Sequence, residues 1–136
     1  MTRPAHILII DDEPELLTLA GQRLKSWGYE VLQATSAEDG LRLADECSPD
    51  LILLDVLMPK MKGREACAAL KANDRTKHIP VIFLSSLGMP DHIKGGLDAG
   101  AEDYILKPFN ADDLRDRIRV CLLRHGFVFP QSPGPA

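Results

Sequence analysis

The sequence predicts an α/β protein built on a doubly wound, five-stranded parallel sheet, and two observations carry that prediction. Short apolar, β-rich runs alternate five times with helical patterns of roughly 10–16 residues, the signature of repeated βα units. Several of those runs also stop abruptly on a charged or hydroxyl residue, where such sheets gather their ligand chemistry.

The first strand is His6–Ile10, "HILII", ending in Asp11-Asp12. A helix follows over about Pro14–Trp27. Proline suits its first turn, Glu13 and Glu15 suit its positive dipole end, and Gly28 stops it. Leu16, Leu17, Ala20, Leu24 and Trp27 form its apolar stripe. The second strand, Glu30–Ala34, precedes Ser36, a helix N-cap, and a helix reaching about Cys47. The third strand, "DLILL" at Asp50–Leu54, is apolar on both faces and so central, and it delivers Asp55 at its carboxyl end. After the turn "MPKMKG" come a helix over Arg64–Ala72, the strand "PVIFLS", and a helix over Pro90–Ala99. The strand "DYIL" and a last helix over Ala111–Arg124, capped by Asn110, complete the pattern. Gly88, Pro90, Gly95 and Gly96 predict a late, short and mobile fourth helix.

A chain of 136 residues has room for one domain, assigned to 1–125, and a Pro-rich tail or linker start at 126–136. The composition, 45% hydrophobic and 26% charged, is that of a globular core needing no disulfide or structural metal. A net charge of −4 argues against direct nucleic-acid binding by this domain. Lys71, Arg75, Lys77 and His78 form a small basic patch, read as a solvated helix end and loop. Cys47, Cys67 and Cys121 show no CxxC pair and are read as having no histidine at ligand spacing; they are expected to be reduced and mostly buried. "MTRPAHILII" does not read as a signal peptide, and no apolar run reaches the roughly 18 residues of a membrane span. The cytoplasm is the expected compartment.

Reading the strand ends in order gives Asp11, Asp12, Asp55, Ser85 and Lys107. Taken singly, an acidic pair after a strand is a helix cap, a serine is a turn residue, and Lys107-Pro108 is an exposed loop. Together they place three carboxylates, a hydroxyl and an ammonium at one edge. Two carboxylates about 4 Å apart repel by roughly 4 kcal/mol at an effective dielectric near 20. Such a cluster calls for a cation, and an all-oxygen set suits Mg²⁺ or Mn²⁺.

These pieces, "ILIIDDEPE", "PDLILLDVLMPKMKG", "IPVIFLSS", "AGAEDYILKPF" and "DLRDRIR", resemble the receiver domain of two-component response regulators over about residues 5–125. The resemblance implies a flavodoxin-like (βα)5 fold with sheet order 2-1-3-4-5. It implies that Asp55 accepts a phosphoryl group from a sensor histidine kinase or a phosphotransfer protein. Asp12 would bind Mg²⁺ directly, Asp11 directly or through water, and the Leu57 carbonyl would complete the protein's share. Ser85 matches the switch hydroxyl, Lys107 the phosphate-binding lysine, Tyr104 the switch aromatic, and Pro108 a proline after a cis peptide bond. The surface of the fourth helix, fifth strand and fifth helix would carry the signal to an output domain or partner, or to a second copy. Leu57 and Leu87 stand where the family tunes the lifetime of the phosphoryl group. Lys62 departs from the family's usual acidic residue before the turn glycine. Two other classes fit less well. A haloacid-dehalogenase-type phosphatase needs a second Asp where Leu57 stands, and "DDEPE" replaces the Gly-rich loop of a nucleotide-binding domain. A degenerate receiver, acting only as an interaction module, would lack some of the chemical residues found here.

Overall fold

The computed structural model describes residues 3–129. Five strands alternate with five helices: β1 His6–Ile10, α1 Pro14–Ser26, β2 Glu30–Ala34, α2 Ala37–Cys47, β3 Leu51–Asp55, α3 Gly63–Ala72, β4 Val81–Ser85, α4 Pro90–Asp98, β5 Asp103–Leu106 and α5 Ala111–Arg124. All pairings are parallel, as the sequence predicted, and the sheet order is β2-β1-β3-β4-β5, as the resemblance implied.

The strand sequences explain why helices cover both faces. Along β1, β3 and β4, successive side chains enter opposite cores, because side chains alternate with a period of two. Leu8, Ile10, Ile52, Leu54, Val81 and Phe83 pack with Ala37 and Ala44 of α2 and Ala66, Cys67 and Leu70 of α3. Ile7, Ile9, Leu51, Leu53, Ile82 and Leu84 pack with Leu17, Ala20 and Leu24 of α1 and Leu114 and Ile118 of α5. Both helix N-caps expected from the sequence form. Ser36 accepts from the Asp39 N–H, and Asn110 accepts from the N–H groups of Asp112 and Asp113.

Several local features add detail to these expectations. Phe127 and Phe129, in the stretch expected to be tail or linker, pack against the α1/α5 core. Arg119 stacks its guanidinium 4.3 Å from the Phe129 ring centre. Residues 130–136 of the expected tail lie outside the described residues. Cys47 is exposed at the end of α2, whereas Cys67 and Cys121 are buried, and all three are free. The α4 glycines also have a packing reason: a Cβ on Gly96 would stand 2.9 Å from Phe83 and 3.0 Å from Tyr104. α4 is late and short, as expected, and it lies this close to the sheet because Gly96 lacks a side chain. The basic patch is partly neutralised, with Arg75 2.7 Å from Asp45 and Lys77 3.0 Å from Asp74.

Gly63 opens α3 directly beneath the end of β3. Its N–H donates to the Val56 carbonyl, and a Cβ there would stand 2.3 Å from the Asp55 carbonyl oxygen and 2.7 Å from the Val56 Cα. Both neighbours are backbone and cannot rotate away. Gly63→Ala should therefore destabilise the fold at the upper end of about 1–3 kcal/mol, read from urea unfolding. An unchanged midpoint would show that the turn relaxes freely.

Candidate functional site

Parallel topology brings the carboxyl ends of β1, β3, β4 and β5 to one edge, and the chemistry-bearing residues stand there. Asp11 follows β1 and Asp55 closes β3; they are 1% and 3% exposed, while Asp12 is exposed. Each of the three offers a carboxylate oxygen within 4.8 Å of the others. Lys107, just after β5, reaches across the sheet edge. Its Nζ lies 2.8 Å from Asp11 Oδ2, 3.5 Å from Asp55 Oδ1 and 3.5 Å from Glu13 Oε1. The Lys107–Pro108 peptide bond is cis. Backbone bonds fix the cradle: the Glu13 N–H donates to Asp11 Oδ1 at 2.9 Å, and the Leu57 N–H donates to Asp55 Oδ1 at 3.2 Å.

Ser85 closes β4 and is fully buried. Its hydroxyl accepts from the Leu87 N–H at 3.0 Å, and its carbonyl accepts from the Lys107 N–H at 2.8 Å. Tyr104, on β5, turns its ring inward against Phe83 at 6.1 Å between centroids. The Tyr104 hydroxyl donates to the Leu87 carbonyl at 2.8 Å. Leu87 thus bridges the Ser85 hydroxyl and the Tyr104 ring through its own N–H and C=O. Leu57 is 47% exposed beside the acidic cluster, and Leu87 is half-buried against the α2/α3 core.

Two participants escaped the sequence reading. Glu13 was assigned only to the helix dipole, yet it supplies a third carboxylate to Lys107. Its signal was its place in the "DDEPE" run. The Leu87 bridge left no signal, because a backbone contact can be made by any residue.

The residues present suit a hard divalent cation. Three carboxylates face a single ammonium, so the cluster carries surplus negative charge, and every donor is oxygen. Among the described residues, no helix is long and apolar enough to cross a membrane.

Comparison with known proteins bears on the family and the fold. The family model described as "Response regulator receiver domain" matches residues 7–119. The chain is 42% identical over 127 residues to the DNA-binding dual master transcriptional regulator RpaA of Synechocystis, covering 93% of this chain and 52% of that protein. It is 38% identical to the phosphate regulon transcriptional regulatory protein PhoB of Pseudomonas aeruginosa, covering 93% of this chain and 56% of that one. The chain thus spans about half the length of these relatives. A putative response regulator from Chloroflexus aurantiacus superposes with a TM-score of 0.86 at 33% identity, covering 90% of this chain and 100% of that chain. The Vibrio cholerae chemotaxis protein CheY4 superposes at 0.82 with 29% identity, covering 87% and 98%.

Burial, reinforced by the Asp11 charge, pushes the Asp55 carboxyl up to about 6 even though Lys107 pulls it down. Burial works against the Lys107 ammonium, but its hydrogen bond to Asp11 and the charges of Asp55, Asp11 and Glu13 outweigh that cost and raise its pKa. For Asp55 the folded state disfavours the charged form. The resulting penalty on stability is absent below about pH 4, grows through about pH 4–6, and is complete above that window. Asp55→Asn in metal-free buffer should therefore be more stable than wild type by about 1–3 kcal/mol at pH 7.5. The gain should vanish near pH 4, and Asp12→Ala should gain less because Asp12 is exposed. Thermal melts across that range check this; a difference independent of pH would refute it.

Proposed function

The chain belongs to the response-regulator receiver family, and from that premise we propose that it is a switch set by phosphorylation of Asp55. The observation that supports this most directly is the Lys107 ammonium held against two buried carboxylates, Asp11 and Asp55, at the carboxyl edge of the sheet. An Asp55 oxygen forms the new O–P bond in line while the P–N bond to a donor imidazole breaks. The imidazole keeps the electron pair and takes a proton from solvent. A small acyl phosphate serves as an alternative donor. Catalysis here is positioning and charge compensation. The Leu57 N–H orients the Asp55 carboxylate, and Lys107 turns from the carboxylates to the incoming phosphoryl oxygens. Asp11, Asp12, Asp55 and the Leu57 carbonyl would hold Mg²⁺, or Mn²⁺ in its place; when bound, the ion offsets charge on the phosphoryl group.

The readout starts at Ser85. A hydroxyl has one donor and two acceptor sites, so Ser85 can donate to a phosphoryl oxygen while still accepting the Leu87 N–H. Leu87 then travels with Ser85, and Tyr104, bonded to the Leu87 carbonyl, follows. The surface of α4, β5 and α5 shifts its population and presents itself to an output domain, a target protein or a second copy. The donor is a sensor histidine kinase or a phosphotransfer protein, and the protein acts as a regulator rather than a turnover enzyme.

Incubation with acetyl phosphate and Mg²⁺ should give a single phosphoryl adduct by mass spectrometry. EDTA and Asp55→Asn should each abolish it. Undiminished labelling of that variant would move the acceptor elsewhere, and no labelling of wild type would favour a receiver that acts only as an interaction module.

The lifetime of the phosphoryl group depends on whether a water can be aimed at the phosphorus. Leu57 and Leu87 offer no side-chain hydrogen bond to such a water. One well-aimed bond to a charged transition state contributes about 1.5–3 kcal/mol, or roughly 10- to 150-fold in rate. The half-life should be many minutes or longer, and the Leu57→Asn, Leu87→Glu double variant should shorten it by about that factor. Decay measured after donor removal decides this; a wild-type half-life of seconds would show that the leucines do not set the rate.

A further inference from the structure

A second cluster of ligand-type side chains lies at the opposite end of β5 from Lys107, roughly 16 Å away at the usual rise of a strand. Glu102 immediately precedes β5, its backbone tied to β4 by a bond from its N–H to the Val81 carbonyl at 2.9 Å. Cys121 and His125 project from one face of α5 at i and i+4. The expectation that no cysteine has a histidine at ligand spacing is thereby corrected, since Cys121 and His125 stand four residues apart at the end of a helix. Cys121 Sγ lies 3.3 Å from Glu102 Oε2, and His125 Nε2 is hydrogen-bonded to Glu102 Oε1. The three donor atoms all lie within 4.8 Å of one another. Burial is graded, with Cys121 at the floor, 4% exposed, and Glu102 and His125 half-exposed at the rim.

We propose that Glu102, Cys121 and His125 form a binding site for a borderline-soft divalent cation of the zinc class. One sulfur, one nitrogen and one oxygen donor make a set that zinc accepts and that magnesium, which prefers oxygen, does not. Bond lengths of about 2.0–2.3 Å in a tetrahedral site put neighbouring donors roughly 3.3–3.8 Å apart. The Cys121–Glu102 separation already fits, and the His125–Glu102 pair opens by rotation of two half-exposed side chains. A fourth position faces solvent. The carbonyl end of α5, where His125 caps the helix, adds negative potential. Without metal the Cys121 thiol donates to Glu102 Oε2. Binding forms the sulfur–metal bond and releases the thiol proton to solvent. The bound ion clamps the C-terminal end of α5 to the start of β5, at the end of the proposed signalling surface remote from Asp55.

Cobalt(II) is the probe, added to reduced protein with excess Mg²⁺ to occupy the acidic cluster. A thiolate-to-cobalt charge-transfer band should saturate at one equivalent, with proton release, and Zn²⁺ should displace it. Cys121→Ser should remove the band, whereas Asp12→Ala and Cys47→Ser should keep it. Serine in place of the buried thiol can disturb folding, so Glu102→Gln and His125→Ala, at half-exposed positions, give an independent arm. Each should weaken binding at least about tenfold while leaving the melting temperature of the metal-free protein near wild type. The proposal fails if no band forms at one equivalent, if the band survives Cys121→Ser, or if both rim variants bind as tightly as wild type.

Discussion

Two carboxylates buried beside one lysine are the constraint around which the rest of the molecule is arranged. Asp11 and Asp55 are almost fully removed from solvent, and burial together with mutual repulsion pushes the Asp55 proton affinity upward. Removing charged groups from water is costly unless they are paired. Lys107 pairs with both, yet one ammonium cannot neutralise two buried carboxylates as well as Asp12 and Glu13. The surrounding structure must hold the cluster against its own repulsion. It does so with backbone donors at Asp11 and Asp55 and with strands buried on both faces.

That requirement explains why the core is so uniform. β3 and β4 are buried along their whole length, and the register pairs Asp55 with Leu84 and Ser85 with Leu106. A slip of one residue would turn Asp55 and Ser85 to the opposite face of the sheet. The leucine, isoleucine and valine side chains of these strands therefore specify the geometry of the site as much as its polar residues do. Gly63 belongs to the same argument, since the chain after Asp55 turns so tightly that α3 begins against the backbone of β3.

Much of this was legible in the sequence because the signals were local and periodic. Short apolar strand runs, Ser36 and Asn110 at helix starts, and Gly28 beyond α1 each act through neighbours a few residues away. The four strand ends were legible because parallel topology converts order in sequence into adjacency in space. Features that depend on distant partners left weaker traces. Glu13 reads as a helix-dipole residue until Lys107 arrives from the far side of the sheet, 94 residues later. Phe127 and Phe129 sit in a Pro-rich stretch that looks like linker, yet Tyr29, Arg119 and Arg3 give them a place to pack. The Cys121–His125 pair was visible at helical spacing, but its third member, Glu102, comes from another element.

On the proposed chemistry, phosphorylation changes the charge at Asp55 by only about half to one unit near neutral pH, since the free carboxylate is already mostly ionised there. A change of that size is partly compensated by Lys107 and by a bound cation, so long-range electrostatics is a weak carrier for the signal. What the phosphoryl group adds is three acceptor oxygens at a fixed place, and directional bonds are short-range and specific. Ser85 is fully buried and tied to Leu87, so a displacement of its hydroxyl cannot dissipate into solvent. Leu87 in turn holds the Tyr104 hydroxyl, and the Tyr104 ring packs against Phe83 at the point where Gly96 admits α4. Close-packed interiors transmit such displacements because there is no slack to absorb them. The route from Asp55 to the α4 surface is thus a chain of contacts, and its direction is set by where Gly96 lets the helix touch the ring.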